Sequence, residues 1–276
     1  MDRPAAVAGQ WYPADRVRLG RQVDEYLTAA ELDPLPHHIR AIVAPHAGLM
    51  YSGPVAAYAY KLLRDQQYRA AVMVGPSHFV GFRGVSIWPG GRWQTPFGPV
   101  QVEPALAGVI ARHGKDVVER PDAHGREHSL EMQMPFVAHL LPGVPIVPLV
   151  MGYQTRETAL ALGGALASAI REWAPDDPGS VVLIASSDLS HYEDAPTAAA
   201  MGAVVTAAVD ALDPDGLMDA LEREPRHACG GGPMVAVMHA ARQLGAAHAR
   251  VLRYADSGDV SGDKSAVVGY MAAAIW

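Results

Sequence analysis

Three short apolar runs in this chain each stop on a turn that carries a histidine. They read RAIVAPHAG (40–48), AAVMVGPSH (70–78) and VVLIASSDLSH (181–191). Each contains four or five residues drawn from Val, Ile, Leu, Met and Ala. That composition suits a strand buried on both faces. Open α/β sheets bind ligands just beyond the carboxyl ends of their strands, so histidines placed there can converge on one crevice.

The segments between these runs read as helices and further strands. Gly53-Pro54 opens a helix through VAAYAYKLL, with proline at a first-turn position where its missing N–H is harmless. Residues 80–99 are irregular, with hairpins or short strands. A helix spans 104–113 and ends at Gly114, and another over 130–141 must be kinked or divided by Pro135. A strand covers 145–151, followed by a long Ala/Leu helix over 155–173. Helices over 196–212, 213–222 and 233–244 and closing strands over 251–254 and 265–275 complete the chain. This alternation predicts a single α/β domain over 1–276, a sandwich with a central mostly parallel or mixed sheet and helices on both faces.

Composition narrows the function. The net charge is −7 and there is no basic block, which argues against a nucleic-acid partner. No apolar stretch approaches the roughly 20 residues of a membrane helix, and no signal-peptide pattern opens the chain. One cysteine against twelve histidines leaves no internal disulfide and favours a reducing, cytoplasmic setting.

Taken singly, His46 in PHAGLMYSGP and His78 in GPSHF each read as turn histidines bonded to backbone. A second strand-end histidine in the adjacent βα unit changes this, because a pair facing one crevice is a standard metal arrangement. Cys229, in HACGGGPM, stands at the mouth of a helix, where a thiol pKa falls and the thiolate is favoured; the bland alternative is a small buried hydrophobe. Asp188 and His191 share SSDLSHY, so Asp188 can orient the imidazole for acid/base work or else cap the next helix. His128 and Glu131 lie three residues apart and can position a substrate or form a salt bridge. His37, His38, His113, His124, His139, His227, His239 and His248 have no supporting context and read as surface, cap or core residues.

Eight segments, in order, resemble the Memo family, including its bacterial branch called AmmeMemoRadiSam system protein B. They are AGQWYP, PHAGLMYSGPVAA, VGPSHF, EHSLEMQMPF, PLVMG, SSDLSHY, CGGGPM and YADSGDVSGDKSAVVGYMAA. The resemblance implies the fold of class III extradiol ring-cleaving dioxygenases. It implies a metal site of His46, His78 and Cys229, with Asp188 and His191 as the acid/base pair. Trp11 matches an aromatic of the family's pocket, and Tyr51 and His128 join it as substrate-binding candidates. Two positions depart from the pattern: Phe79 and Gln133 stand where the family often has histidine.

The expected function is therefore a non-haem iron(II) protein of extradiol-dioxygenase type acting on a small, aromatic-class substrate. Copper and zinc are alternatives, because thiolate is softer than the carboxylate of the dioxygenases; zinc hydrolysis ranks lower. The competing reading is a non-catalytic metal-handling or peptide-binding adaptor. Cooperation with a radical-SAM partner is a third.

Overall fold

Alternate side chains of the central strands face two separate hydrophobic layers, as the period of two demands. The computed structural model describes residues 1–33, 35 and 38–276, so His37 lies outside the described residues. One mixed sheet holds nine strands: β1 (Ala41–Ala44), β2 (Ala70–Pro76), β3 (Val85–Ile87), β4 (Val117–Glu119), β5 (Ile146–Met151), β6 (Val181–Ser186), β7 (His191–Glu193), β8 (Ala249–Asp256) and β9 (Val267–Ile275). Across the sheet they run β8–β9–β1–β6–β2–β5–β3–β4, and β7 pairs with the start of β9. The four central strands β1, β6, β2 and β5 are parallel. Both flanks include antiparallel pairs, β9 with β1 and β3 with β5.

The helices of more than five residues are α1 (Arg16–Ala29), α2 (Leu49–Lys61), α3 (Pro104–His113), α4 (Met134–Leu140), α5 (Arg156–Trp173), α6 (Ala195–Asp210), α7 (Pro214–Arg223) and α8 (Gly231–Gln243). Ile42, Ala44, Ala71 and Met73 pack with α1, α2 and α4 on one face. Ala41, Val43, Val72 and Val74 pack with α3 and α5 to α8 on the other. The expected helix–sheet–helix sandwich is therefore present. Among the described residues no helix is long and apolar enough to cross a membrane.

This topology makes a crevice. β1 leads into α2 on one face, while its parallel neighbour β6 leads through β7 into α6 on the other. The chain thus diverges at the carboxyl ends of β1 and β6, the switch point where such sheets bind ligands.

Several boundaries differ from expectation for local reasons. α2 begins at Leu49, not at Pro54, which lies inside it. Its entry is held by backbone bonds from Leu49 N–H to Trp11 O and from Ser52 N–H to Gly48 O. α8 begins at Gly231, two residues before Pro233. The 130–141 segment divides as expected, into a 3-10 turn at Glu131–Gln133 and α4. The cap of α6 is Asp194, so neither Asp188 nor His191 caps it. α1 has no apolar run to mark it; it buries a stripe of Leu19, Val23 and Leu27, and Asp15 caps it by accepting from Arg18 N–H.

Candidate metal centre

His46 leaves the end of β1 and is 1% exposed. Its backbone N–H donates to Asp188 Oδ1 at 2.6 Å, which ties the β1 and β6 turns together. Its Nδ1 lies 2.9 Å from Ser186 Oγ, the last residue of β6. That hydroxyl donates its one proton to Ser129 O at 2.6 Å and accepts from Gln133 Nε2 at 2.7 Å. It can therefore only accept from His46, so Nδ1 carries the ring proton and Nε2 presents a lone pair. Burial, helped by the neighbouring His78, pushes the His46 pKa down to about 3, so the ring is neutral. A neutral imidazole with a fixed free nitrogen is the form a metal requires.

His78 follows β2 and is fixed in the same sense by another group. Its Nδ1 is 2.9 Å from Glu127 Oε1, and its backbone N–H donates to Glu127 Oε2 at 2.6 Å. Ser129 N–H donates to the same carboxylate at 2.8 Å. Burial alone would raise the Glu127 pKa, but the bonds from His78 and Ser129 hold it down to about 2. The anion keeps the proton on His78 Nδ1 and turns Nε2 toward the centre, the carboxylate–histidine pairing common behind metal ligands.

Cys229 supplies the third donor. Its Sγ is 3.2 Å from His46 Nε2, across 183 residues of sequence. The CGGG loop can approach because Gly230 lies against β6: a Cβ there would come 2.3 Å from Ser186 O. Gln154 braces the loop, donating to Cys229 O at 2.7 Å and accepting from Gly232 N–H at 2.8 Å. The expectation that the helix mouth favours thiolate is corrected. Burial pushes the thiol pKa up, and the Asp188 carboxylate adds to the rise. Since His46 Nε2 is an acceptor, the thiol hydrogen fills the gap between them. A metal ion would take that proton's place.

One donor atom from each of His46, His78 and Cys229 lies within 4.8 Å of the others. A tetrahedral ion with N and S ligands needs donor separations of about 3.3–3.8 Å, so small side-chain shifts close the site. Ser186→Ala removes the bond that sets the His46 tautomer. It is expected to weaken metal affinity about 10- to 100-fold, read by chelator competition. An unchanged affinity would show that Ser186 does not hold the ring.

The other expected residues are placed unevenly. Asp188 is buried, and its carboxylate accepts from the backbone of His46 and Ala47. Burial raises its pKa. Among the described residues it makes no hydrogen bond to His191, which is exposed on β7 and acts on it through charge. Tyr192, next to His191, adopts φ 64° and is 77% exposed. His128 joins the donors: its ring stacks on His78 at 4.5 Å between centroids and meets Trp11 at 4.4 Å. Burial, and then the neighbouring His46 and His78, push its pKa down to about 4. Glu131 does not pair with His128; it accepts from Arg3, Ala6, Val7 and Tyr12 and so fixes the N-terminal segment that carries Trp11.

Tyr51 lines a different hollow, about 250 Å³, with Tyr26, Pro54 and Tyr58. Phe79 stands at the rim, edge-on to His128 at 5.9 Å. Gln133 is fully buried behind His46, not in the pocket, with Tyr60 O–H donating to its Oε1 at 2.8 Å. A cleft of about 490 Å³ has Cys229, Gln154, Leu221 and Gly232 in its wall. A larger hollow of about 800 Å³ along α1 and His139 includes none of the donors.

Sequence reasoning missed Glu127, Ser186 and Gln154. Glu127 directly precedes His128, and Ser186 opens the SSD turn, but neither position announces its partner. The fold and donors together define an open-sheet α/β protein with a His/His/Cys cluster at its switch point. The model of the Memo-like protein family matches residues 3–274, and the chain belongs to that family. It is 40% identical to a MEMO1 family protein of Methanothermobacter thermautotrophicus, over 98% of this chain and 99% of the relative. It is 38% identical to one from Pyrobaculum aerophilum, over 97% and 96%. A third, from Thermotoga maritima, is 35% identical over the whole of both chains.

Proposed function

We propose that the chain is a mononuclear non-haem iron protein of oxygenase type, with His46 Nε2, His78 Nε2 and Cys229 Sγ as its ligands. The observation that carries this reading is the proton arrangement. Both imidazoles have their Nδ1 protons engaged, by Ser186 and Glu127; His46 Nε2 meets the Cys229 thiol, and a His78 donor lies within 4.8 Å of both. Two nitrogens and one thiolate suit iron, copper or zinc, and leave coordination positions open. Bound iron would supply oxygen chemistry and an anchor for a chelating substrate.

The chain's own groups supply the rest. Trp11 and His128 form an aromatic wall beside the donors, suited to a flat ring substrate. The neutral His128 ring is placed to accept a hydrogen bond from it. His191, exposed on β7, exchanges protons with substrate and solvent, while Asp188 holds the His46 turn in place. Anaerobic titration with iron(II) tests the site. One equivalent is expected to bind wild-type protein, and affinity should collapse in His46→Ala and Cys229→Ala. Equal binding in those variants would sink the assignment.

A second reading rests on the thiol and the exposed aromatic rim of Trp11 and Phe79, which are 37% and 51% exposed. Both fit metal handling or peptide recognition without turnover, alone or beside a radical-SAM partner. Oxygen consumption by iron-loaded protein across catechols and aminophenols separates the two. Silence across the panel favours binding.

A further inference from the structure

His78 belongs to two donor sets. Besides the His46/Cys229 set, one donor atom from each of His78, Glu127 and His128 lies within 4.8 Å of the others. We infer that these three residues form a second cation position at the rim, for a harder divalent ion such as Mn²⁺, which competes with the inner set for His78.

The charge arrangement of the two neighbouring glutamates supports it. Glu127 and Glu131 are both about 1% exposed at their side chains. Glu131 faces the Arg3 guanidinium at 2.7 Å. Glu127 has no Lys or Arg side chain in ion-pair reach among the described residues; its partners are His78, His128 and the Ser129 N–H. A buried carboxylate of this kind needs a compensating positive charge, and a cation beside Oε1 provides one.

The donors are already gathered. Glu127 Oε1 is 2.9 Å from His78 Nδ1 and 3.6 Å from His128 Nδ1. The two rings stack with planes 19° apart, so one ion cannot lie in both ring planes at once. The His78 side chain, 28% exposed, is the one free to turn out of the stack. Binding through Nδ1 moves the single ring proton to Nε2, so Nε2 loses its lone pair and no longer serves as a donor beside Cys229. An ion in one position thus excludes a full ligand set in the other. Two imidazoles and a carboxylate are a facial-triad donor set, favoured by harder ions than a site containing thiolate.

The test is a Mn²⁺ titration followed by the loss of the free-ion electron paramagnetic resonance signal, with circular dichroism to confirm folding. Wild-type protein is expected to bind one Mn²⁺, and Cys229→Ser to shift its affinity less than about threefold. His128→Ala and Glu127→Gln, made separately, should each weaken it at least about tenfold. Absence of Mn²⁺ binding to wild-type protein overturns the proposal. So does a Cys229→Ser loss as large as that of His128→Ala. The inner site is read separately, by the thiolate-to-metal charge-transfer band of Co²⁺-loaded wild-type protein, so either site can fail without the other.

Discussion

Gly230→Ala is expected to disable the candidate metal centre while leaving all three donor residues unchanged in sequence. The added Cβ would meet Ser186 O at 2.3 Å and the Ser187 side chain at 2.8 Å, inside any allowed contact. Ser186 O belongs to a central strand and cannot retreat, so the CGGG loop must lift away from β6. Cys229 Sγ then leaves His46 Nε2. Metal affinity should fall by about 100-fold, the upper end of what losing a supporting group does. Overpacking adds about 1–3 kcal/mol of destabilisation. Chelator competition and thermal unfolding measure the two effects. Wild-type affinity in this variant would show that the loop has room the contacts deny.

Glu131→Ala should cause the largest loss of stability of any single change discussed. Arg3 and Glu131 are each 1% exposed and meet at 2.7 Å. The Glu131 carboxylate also accepts from Ala6 N–H, Val7 N–H and Tyr12 O–H. Removing it strands a buried guanidinium over the Trp93 ring and leaves three donors without a partner. The expected loss is about 3–5 kcal/mol in urea unfolding. Replacing both residues with methionine should recover much of it, because no buried charge then remains unpaired. A loss below about 1 kcal/mol for Glu131→Ala would rule out this role. The same carboxylate fixes the segment bearing Trp11, so its loss also loosens the wall beside His128.

How legible each part was in sequence follows from what holds it. β1, β2 and β6 were visible because strands buried on both faces are apolar at every position. α3 and α5 were visible because Pro104 and Gly114 bracket the first and a long Ala/Leu run marks the second; the structure adds caps from Glu103 and Thr155. α1 was not, since three buried residues in a charged segment leave no run to see. Within the site, His46 and His78 stood out at strand ends, and Cys229 beside its glycines. Their partners did not. Ser186, Gln133 and Glu127 act through bonds that span 49 to 140 residues, and no local pattern reports which acceptor a hydroxyl will find. The thiol's protonation was misjudged for the same reason: the helix mouth is local, while burial is a property of the whole fold.

The strand order has a consequence for how the chain is made. β1 is the first strand of the large sheet to leave the ribosome, yet its two neighbours, β6 and β9, end at residues 186 and 275. β2 likewise waits for β6 on one side. Through most of synthesis the nascent chain therefore carries two apolar strands with unsatisfied edges, the usual starting point for aggregation. Any truncation before residue 186 leaves that gap open.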